Sequence, residues 1–411
     1  MRVTSVGRCG TRTPTARRRA GVGRRATADG FTPANYGRRV ITSFDDYPIH
    51  PSSSPIAETG TANINHYDRY FFNGYRRDGS LYFGVAMGLY PNRHVADAAF
   101  SVVVEGRRQI SVHASRRAPH DRRDANRVGP IEVRILEPMR SHRITVDTSE
   151  VRADLLLTAR SGPVQEPHFL TKAGQRTVFD YTRLTQFGRW SGWIEVEGRR
   201  FEIDEASSYG SRDRSWGVRP IGHQSDLGAP VGGRQFFWLW GPVNFPDFAT
   251  HFDVNEYEDG SRWHQVGLVV NDGPWPDGPP PTEASSIGYR GRLRTGTRWF
   301  ESFELDLGFE SRRSPLRLEF EPLYEFQMMG IGYLHPEWGH GVWKGEDVHA
   351  VEAWDLPVTQ PLSPSNVHIQ AVCRVRAHDD DRTHEGLGIL EQLIIGPHQP
   401  SGVVDLFDGA P

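Results

Sequence analysis

The residues most able to do chemistry lie in Tyr209-Gly-Ser-Arg-Asp-Arg-Ser-Trp-Gly217, where Tyr209, Arg212, Asp213, Arg214 and Trp216 fall within eight positions beside two glycines. A carboxyl group flanked by two guanidinium groups is held ionised. That makes Asp213 the centre of an Arg–Asp–Arg lock. Desolvated by an apolar wall and Trp216, the same carboxyl would hold its proton longer and serve as a general acid. A second group is His335-Pro-Glu-Trp-Gly-His-Gly-Val-Trp-Lys-Gly-Glu346. Its His335, Glu337 and His340 are ligand types for zinc or iron. The spacing is not that of a helical His-Glu-x-x-His pair, and proline and glycine exclude a helix there. No metal and no cofactor are expected. Trp338 and Trp343 are read as cavity walls, with His335 and His340 hydrogen-bonding across the mouth.

A third group is His251-Phe-Asp-Val-Asn-Glu256, followed by an Asp259-Gly260 turn and Trp263-His264. In a strand, His251 and Asp253 share one face and Phe252 and Val254 the other. That polar face is expected to meet solvent. Turned inward instead, it would offer His251 and Glu256 as a proton relay. In Asn65–Tyr75, His66, Asp68 and Arg69 would make an inward polar network, but packing of the tyrosine rings in a core is the expected arrangement. There is neither a phosphate loop at a helix start nor a Gly-x-Ser-x-Gly elbow.

The elements that must carry these groups are short and alternating. Phe100–Val104, Ile131–Ile135, Ile144–Asp147, Phe201–Ile203, Phe236–Trp240, Trp299–Leu307, Leu316–Phe320 and Val367–Val372 show the period of two that puts one strand face in a core. Asp78-Gly79, Glu105-Gly106, Glu197-Gly198, Asp259-Gly260 and Asp272-Gly273 supply turns. With 43 Gly and 29 Pro in 411 residues, long helices are disfavoured, and only Ala153–Ala159 offers a turn or two. The expected fold is all-β: two antiparallel barrels packed together, over 31–225 and 226–411, behind an Arg-rich disordered tail at 1–30. The tail holds eight arginines and one acid, so the remainder is acidic and no nucleic-acid partner is expected. Two cysteines, Cys9 and Cys373, cannot make a disulfide framework. Neither a membrane span nor a secretory apolar stretch is visible, so a cytoplasmic location without integral membrane association is expected.

The segment Ser211-Arg-Asp-Arg-Ser-Trp-Gly217 resembles the Asp-x-x-Trp-Gly signature of the two-domain lipocalin-like superfamily that includes carotenoid 1,2-hydratase. The resemblance implies two calycin-like barrels with an apolar small-molecule pocket at or near their interface, and Asp213 and Trp216 are the residues it carries over. The leading expectation is therefore a binder of a hydrophobic terpenoid, steroid or polyketide, with acid-catalysed hydration, cyclisation or isomerisation as its chemistry. Asp213 would act with His251 and Glu256 as outside candidates, and Tyr209, Arg212, Trp216, Trp338, Trp343, His335 and His340 would hold substrate. A non-catalytic carrier or sensor is the alternative, and an aromatic carbohydrate platform a third reading.

Overall fold

The computed structural model describes residues 53–119, 126–222, 235–380 and 382–411. The Arg-rich tail and the expected boundary near 225 lie outside the described residues. Val40–Pro411 forms one compact unit. Among the described residues the regular elements, apart from three short 3-10 turns, are antiparallel strands in two sheets, including a curled half-barrel, and no helix among them is long and apolar enough to cross a membrane.

The first sheet runs from Arg108–Arg117 through Val95–Val104, Leu81–Tyr90, His66–Arg76, Ser208–Val218, Arg176–Val196, Val151–Ala159 and Ser141–Asp147 to Ile131–Glu137 and Arg127–Val128. The second contains, in spatial order, Arg262–Asn271, Phe248–Glu256, Phe236–Asn244, Arg382–Ile395, Ile369–Asp379, Leu316–Gln327, Phe300–Gly308 and Ser286–Leu293. One strand crosses over: Val348–Asp355 pairs with the edge strand Arg108–Arg117 of the first sheet. Ala153–Ala159 is strand rather than helix, because Val151, Ala153, Leu155 and Leu157 alternate into the first core. Four of the expected turn glycines, Gly79, Gly106, Gly198 and Gly260, have φ between +63° and +83°, the region that only glycine enters without strain.

Each sheet curls around its own packed core. Phe72, Phe83, Phe100 and Trp190 fill the first, and Phe252, Phe303, Phe320 and Leu305 fill the second. These cores are built from one face of each strand. The opposite faces meet in a third, aromatic layer between the sheets, containing Tyr67, Phe71, Tyr75, Tyr82, Trp238, Trp240 and Ile389. Leu81–Tyr90 is accordingly buried on both faces. The Met328–Ile331 turn and the following chain cover the Val95–Arg117 end of this layer, where Gly330 sits against Gln109, Ser101 and Ser111. The first core forms from residues local in sequence; the layer forms only when the two halves of the chain come together.

Candidate functional site

Register places four polar side chains and a glycine, from five strands, in one row of the first sheet: Asp97, Gly88, Arg69, Ser215 and Arg183 are successive cross-strand neighbours. The next row is Ala99, Ala86, Phe71, Asp213 and Thr185. Both rows face the second sheet, whose own row is Gln370, Glu391, Trp240 and Asp253. The small members leave room for their long neighbours. A Cβ on Gly88 would stand 2.3 Å from the Tyr90 hydroxyl, which reaches across it to Asp97 Oδ1 at 3.3 Å.

At one end of the layer the charges are matched. Arg183 donates from Nε to Glu166 Oε2 at 2.6 Å and from Nη2 to Asp253 Oδ2 at 2.5 Å, joining the two sheets. Thr185 donates to Glu166 Oε1 at 2.6 Å, and His251 Nε2 lies 3.1 Å from the same oxygen. His264 stands 3.3 Å from Asp253, and the guanidinium is packed on the faces of Phe169 and Trp238. Burial opposes ionisation of Glu166, but Arg183 and His251 hold its carboxyl well below the ordinary range. For Asp253 burial prevails and the carboxyl is raised. Nearby, Glu391 is fully bonded by His368 at 2.8 Å, Gln370 at 2.6 Å and Trp238 at 3.1 Å. The polar face of His251 and Asp253 is thus buried rather than solvated, because it fills this inter-sheet layer.

Asp213 lies in the same layer without such partners. Its carboxylate has no hydrogen bond or ion pair among the described residues, and part of its surface stays accessible. Burial pushes its carboxyl up to about 6; Arg183 and Arg69 pull the other way, and Glu166 and Glu391 add to the rise. The expected clasp by its sequence neighbours is not formed. Strand alternation sends Arg212 and Arg214 to the opposite face, where Arg212 donates to Gln186 at 2.9 Å, and Arg214 pairs with Asp68 and stacks on Tyr70. The guanidinium groups that influence Asp213 belong to adjacent strands, one row away.

The remaining expected residues scatter. Tyr209 is buried in the layer two rows along the strand from Asp213. Trp216 is on the Arg214 face and 41 % exposed. Glu256 shares the core face of Phe252 and Val254, where it accepts hydrogen bonds from Tyr289 at 2.7 Å, His398 at 3.0 Å and Arg262 at 3.2 Å. Burial opposes its ionisation, and these donors hold its pKa below the ordinary range. His251 and Glu256 therefore do not act as one relay. Trp343 is 45 % exposed under Arg117 rather than a cavity wall. Trp338 stacks on His113 and borders a cleft of about 10 Å³, enough for one water, shared with Asp97, Ser115 and His340.

His340 does enter the layer. Its Nε2 donates to the Ile331 carbonyl at 3.0 Å, leaving Nδ1 to accept from Arg219 at 3.4 Å; burial, with Arg69 and Arg219, pushes its pKa well down. Among the described residues, two clusters bring three ligand-type atoms within 4.8 Å of one another. In Glu166, Asp253 and His264 the cation's place is taken by Arg183. In His113, His335 and Glu352, His335 Nδ1 accepts from the Glu337 and Trp338 amides at 3.0 and 2.9 Å, so Nε2 carries the proton, facing Glu352 at 2.9 Å. Neither donor set suits a metal. Arg183, Glu166, Arg219 and Tyr333 were not singled out in the sequence; the only signal was the alternation of Tyr181, Arg183 and Thr185 on one strand face.

Fold and site together define an all-β protein of two antiparallel sheets with a charged, aromatic layer between them. The chain belongs to the Family of unknown function (DUF8625), which matches residues 41–404. No curated protein matches it. Among solved structures it is similar to kievitone hydratase from Nectria haematococca, at 10% identity and a TM-score of 0.49 over 86% of this chain and 95% of that one. It is also similar to CghA, at 10% identity and 0.46 over 84% and 90%, and to CghA with Sch210972, at 11% and 0.44 over 80% and 88%.

Proposed function

We propose that the protein is an acid catalyst acting on a small molecule with an apolar body, held in the layer between the sheets. The observation that carries this reading is Asp213: a carboxyl deep in the fold, raised to about 6, with no protein partner among the described residues and with accessible surface of its own. Such a group is part protonated near neutral pH, as a general acid requires. Its proton passes to an alkene carbon or a carbonyl oxygen of the substrate. The carboxylate left behind is stabilised by Arg69 and Arg183, and the aromatic faces of Phe71, Tyr67 and Trp240 suit the developing positive charge. Attack by water or by a second substrate carbon then gives hydration or cyclisation, and loss of a proton gives isomerisation.

The test is incubation of the purified chain with a panel of terpenoid and polyketide alkenes and enones in D2O, with mass spectrometry for deuterium uptake or water addition. Wild type should convert at least one compound, and Asp213→Asn should slow that conversion by about 10²- to 10⁴-fold while remaining folded. An Asp213→Asn variant that turns over at the wild-type rate overturns the assignment. Binding by wild type without conversion of any compound would favour a carrier.

A further inference from the structure

Arg69 and Arg219 sit at the opposite end of the layer from the Glu166–Arg183–Asp253 cluster, and their circumstances are unusual. Arg69 is 2 % exposed; among the described residues its only side-chain hydrogen bond is a long one, from Nη2 to the Ile331 carbonyl at 3.3 Å, and its buried Nε has no partner. Arg219 is half-buried with a buried, unpartnered Nε as well; among the described residues its side chain donates to His340 Nδ1 at 3.4 Å and reaches the Tyr333 hydroxyl. Both guanidinium groups lie over the ring of Tyr333, at 4.7 and 5.5 Å, and Arg219 also lies 4.6 Å from the ring of Tyr67. Among the described residues no carboxylate comes within 4.0 Å of either. His340 is neutral with its proton on Nε2, so it supplies no counter-charge. Asp97 accepts from the Gly341 amide at 2.7 Å and from Tyr90, and burial pushes it up to about 6 although Arg69 and Arg219 pull it down without reaching bonding distance. Two neighbouring cations, Arg69 buried and Arg219 half-buried, thus lack an ion pair within bonding distance, and each keeps a buried Nε without a partner, an arrangement that a group arriving from outside would complete.

We propose that Arg69 and Arg219 bind an anionic oxygen of the substrate, a carboxylate or an enolate, and so place an apolar acid in the layer beside Asp213. Guanidinium groups suit this because they donate in a planar fork and tolerate aromatic stacking. The rings of Tyr333, Tyr67 and Phe71 would contact the apolar remainder. The inference deepens the acid-catalysis reading, on which it rests for what happens after binding, but the binding itself needs no turnover.

The experiment is titration calorimetry of the full chain with 2-naphthoate and with 2-naphthamide, which match in shape and differ in charge. Wild type should bind naphthoate at least tenfold more tightly than the amide. In Arg69→Gln and in Arg219→Gln the ratio should fall below about three, with amide binding unchanged and near-ultraviolet circular dichroism showing that each variant is folded. Equal affinities in wild type, no binding of either probe, or a preference that survives in both variants overturns the proposal. If Arg69→Gln does not fold, the wild-type ratio and Arg219→Gln decide. Asp213→Asn, which removes a nearby negative charge, should keep or tighten naphthoate binding. If that variant still turns over substrate, the acid assignment fails while the anion preference stands.

Discussion

The two ends of the inter-sheet layer contain the same kinds of side chain and treat them differently. Around Arg183 every strong charge has an opposite within bonding distance, supplied by Glu166 on one side and by Asp253 across the layer. Around Arg69 and Arg219 the cations have none, and the carboxyl one row away, Asp213, is unbonded as well. Burying a charge costs solvation at both ends; only the first recovers it in ion pairs within the chain. The matched end is a clamp holding the sheets together, and the unmatched end is where an external group completes the electrostatics.

The sharpest way to break that contrast is to remove one arginine at each end. Arg183→Met leaves Glu166 and Asp253 buried without their cation and should cost about 3 to 5 kcal/mol in urea unfolding. Arg69→Met breaks no ion pair and should cost less than about 1 kcal/mol. Equal losses would show that both ends are structural.

A smaller effect separates the carboxyls by pH. Asp213 has a folded value of about 6 against an ordinary 3.8, so the folded state favours its protonated form. The penalty for ionising it is absent below about pH 4, grows through pH 6 and is complete above. Asp213→Asn should therefore stabilise the protein by about 2 kcal/mol at pH 8 and by almost nothing at pH 4, read from chemical denaturation at the two pH values. Glu166 has the opposite sign: its folded value is depressed, so its contribution is full above the ordinary glutamate pKa and is lost as pH falls through the folded value. The smallest effect belongs to a residue outside the contrast. Trp343→Ala should change stability by no more than about 0.5 kcal/mol and leave naphthoate binding unchanged, since the ring is exposed and touches neither end.

A small part of the site's composition was legible before its geometry. Asp213 stood out by its company, but Glu256, grouped with His251 as a relay, lies on the face of Phe252 and Val254, where strand alternation sends it. Sequence proximity misled in the Arg212-Asp213-Arg214 triplet, because adjacent strand residues point to opposite faces. Arg183 could not be chosen from its surroundings. Its partners Glu166 and Asp253 stand 17 and 70 positions away, and the second lies on the other sheet.

By itself the sequence determined that the chain forms antiparallel strands, where they turn, and which side chains share a face, since a period of two and glycine's freedom at positive φ are local properties. Only the tertiary structure decided what those faces meet. Strands such as His66–Arg76 are buried on both sides, one against a core of their own sheet and the other against a sheet more than a hundred residues away. Whether a charge there is matched depends on long-range register across the layer, which no local pattern encodes.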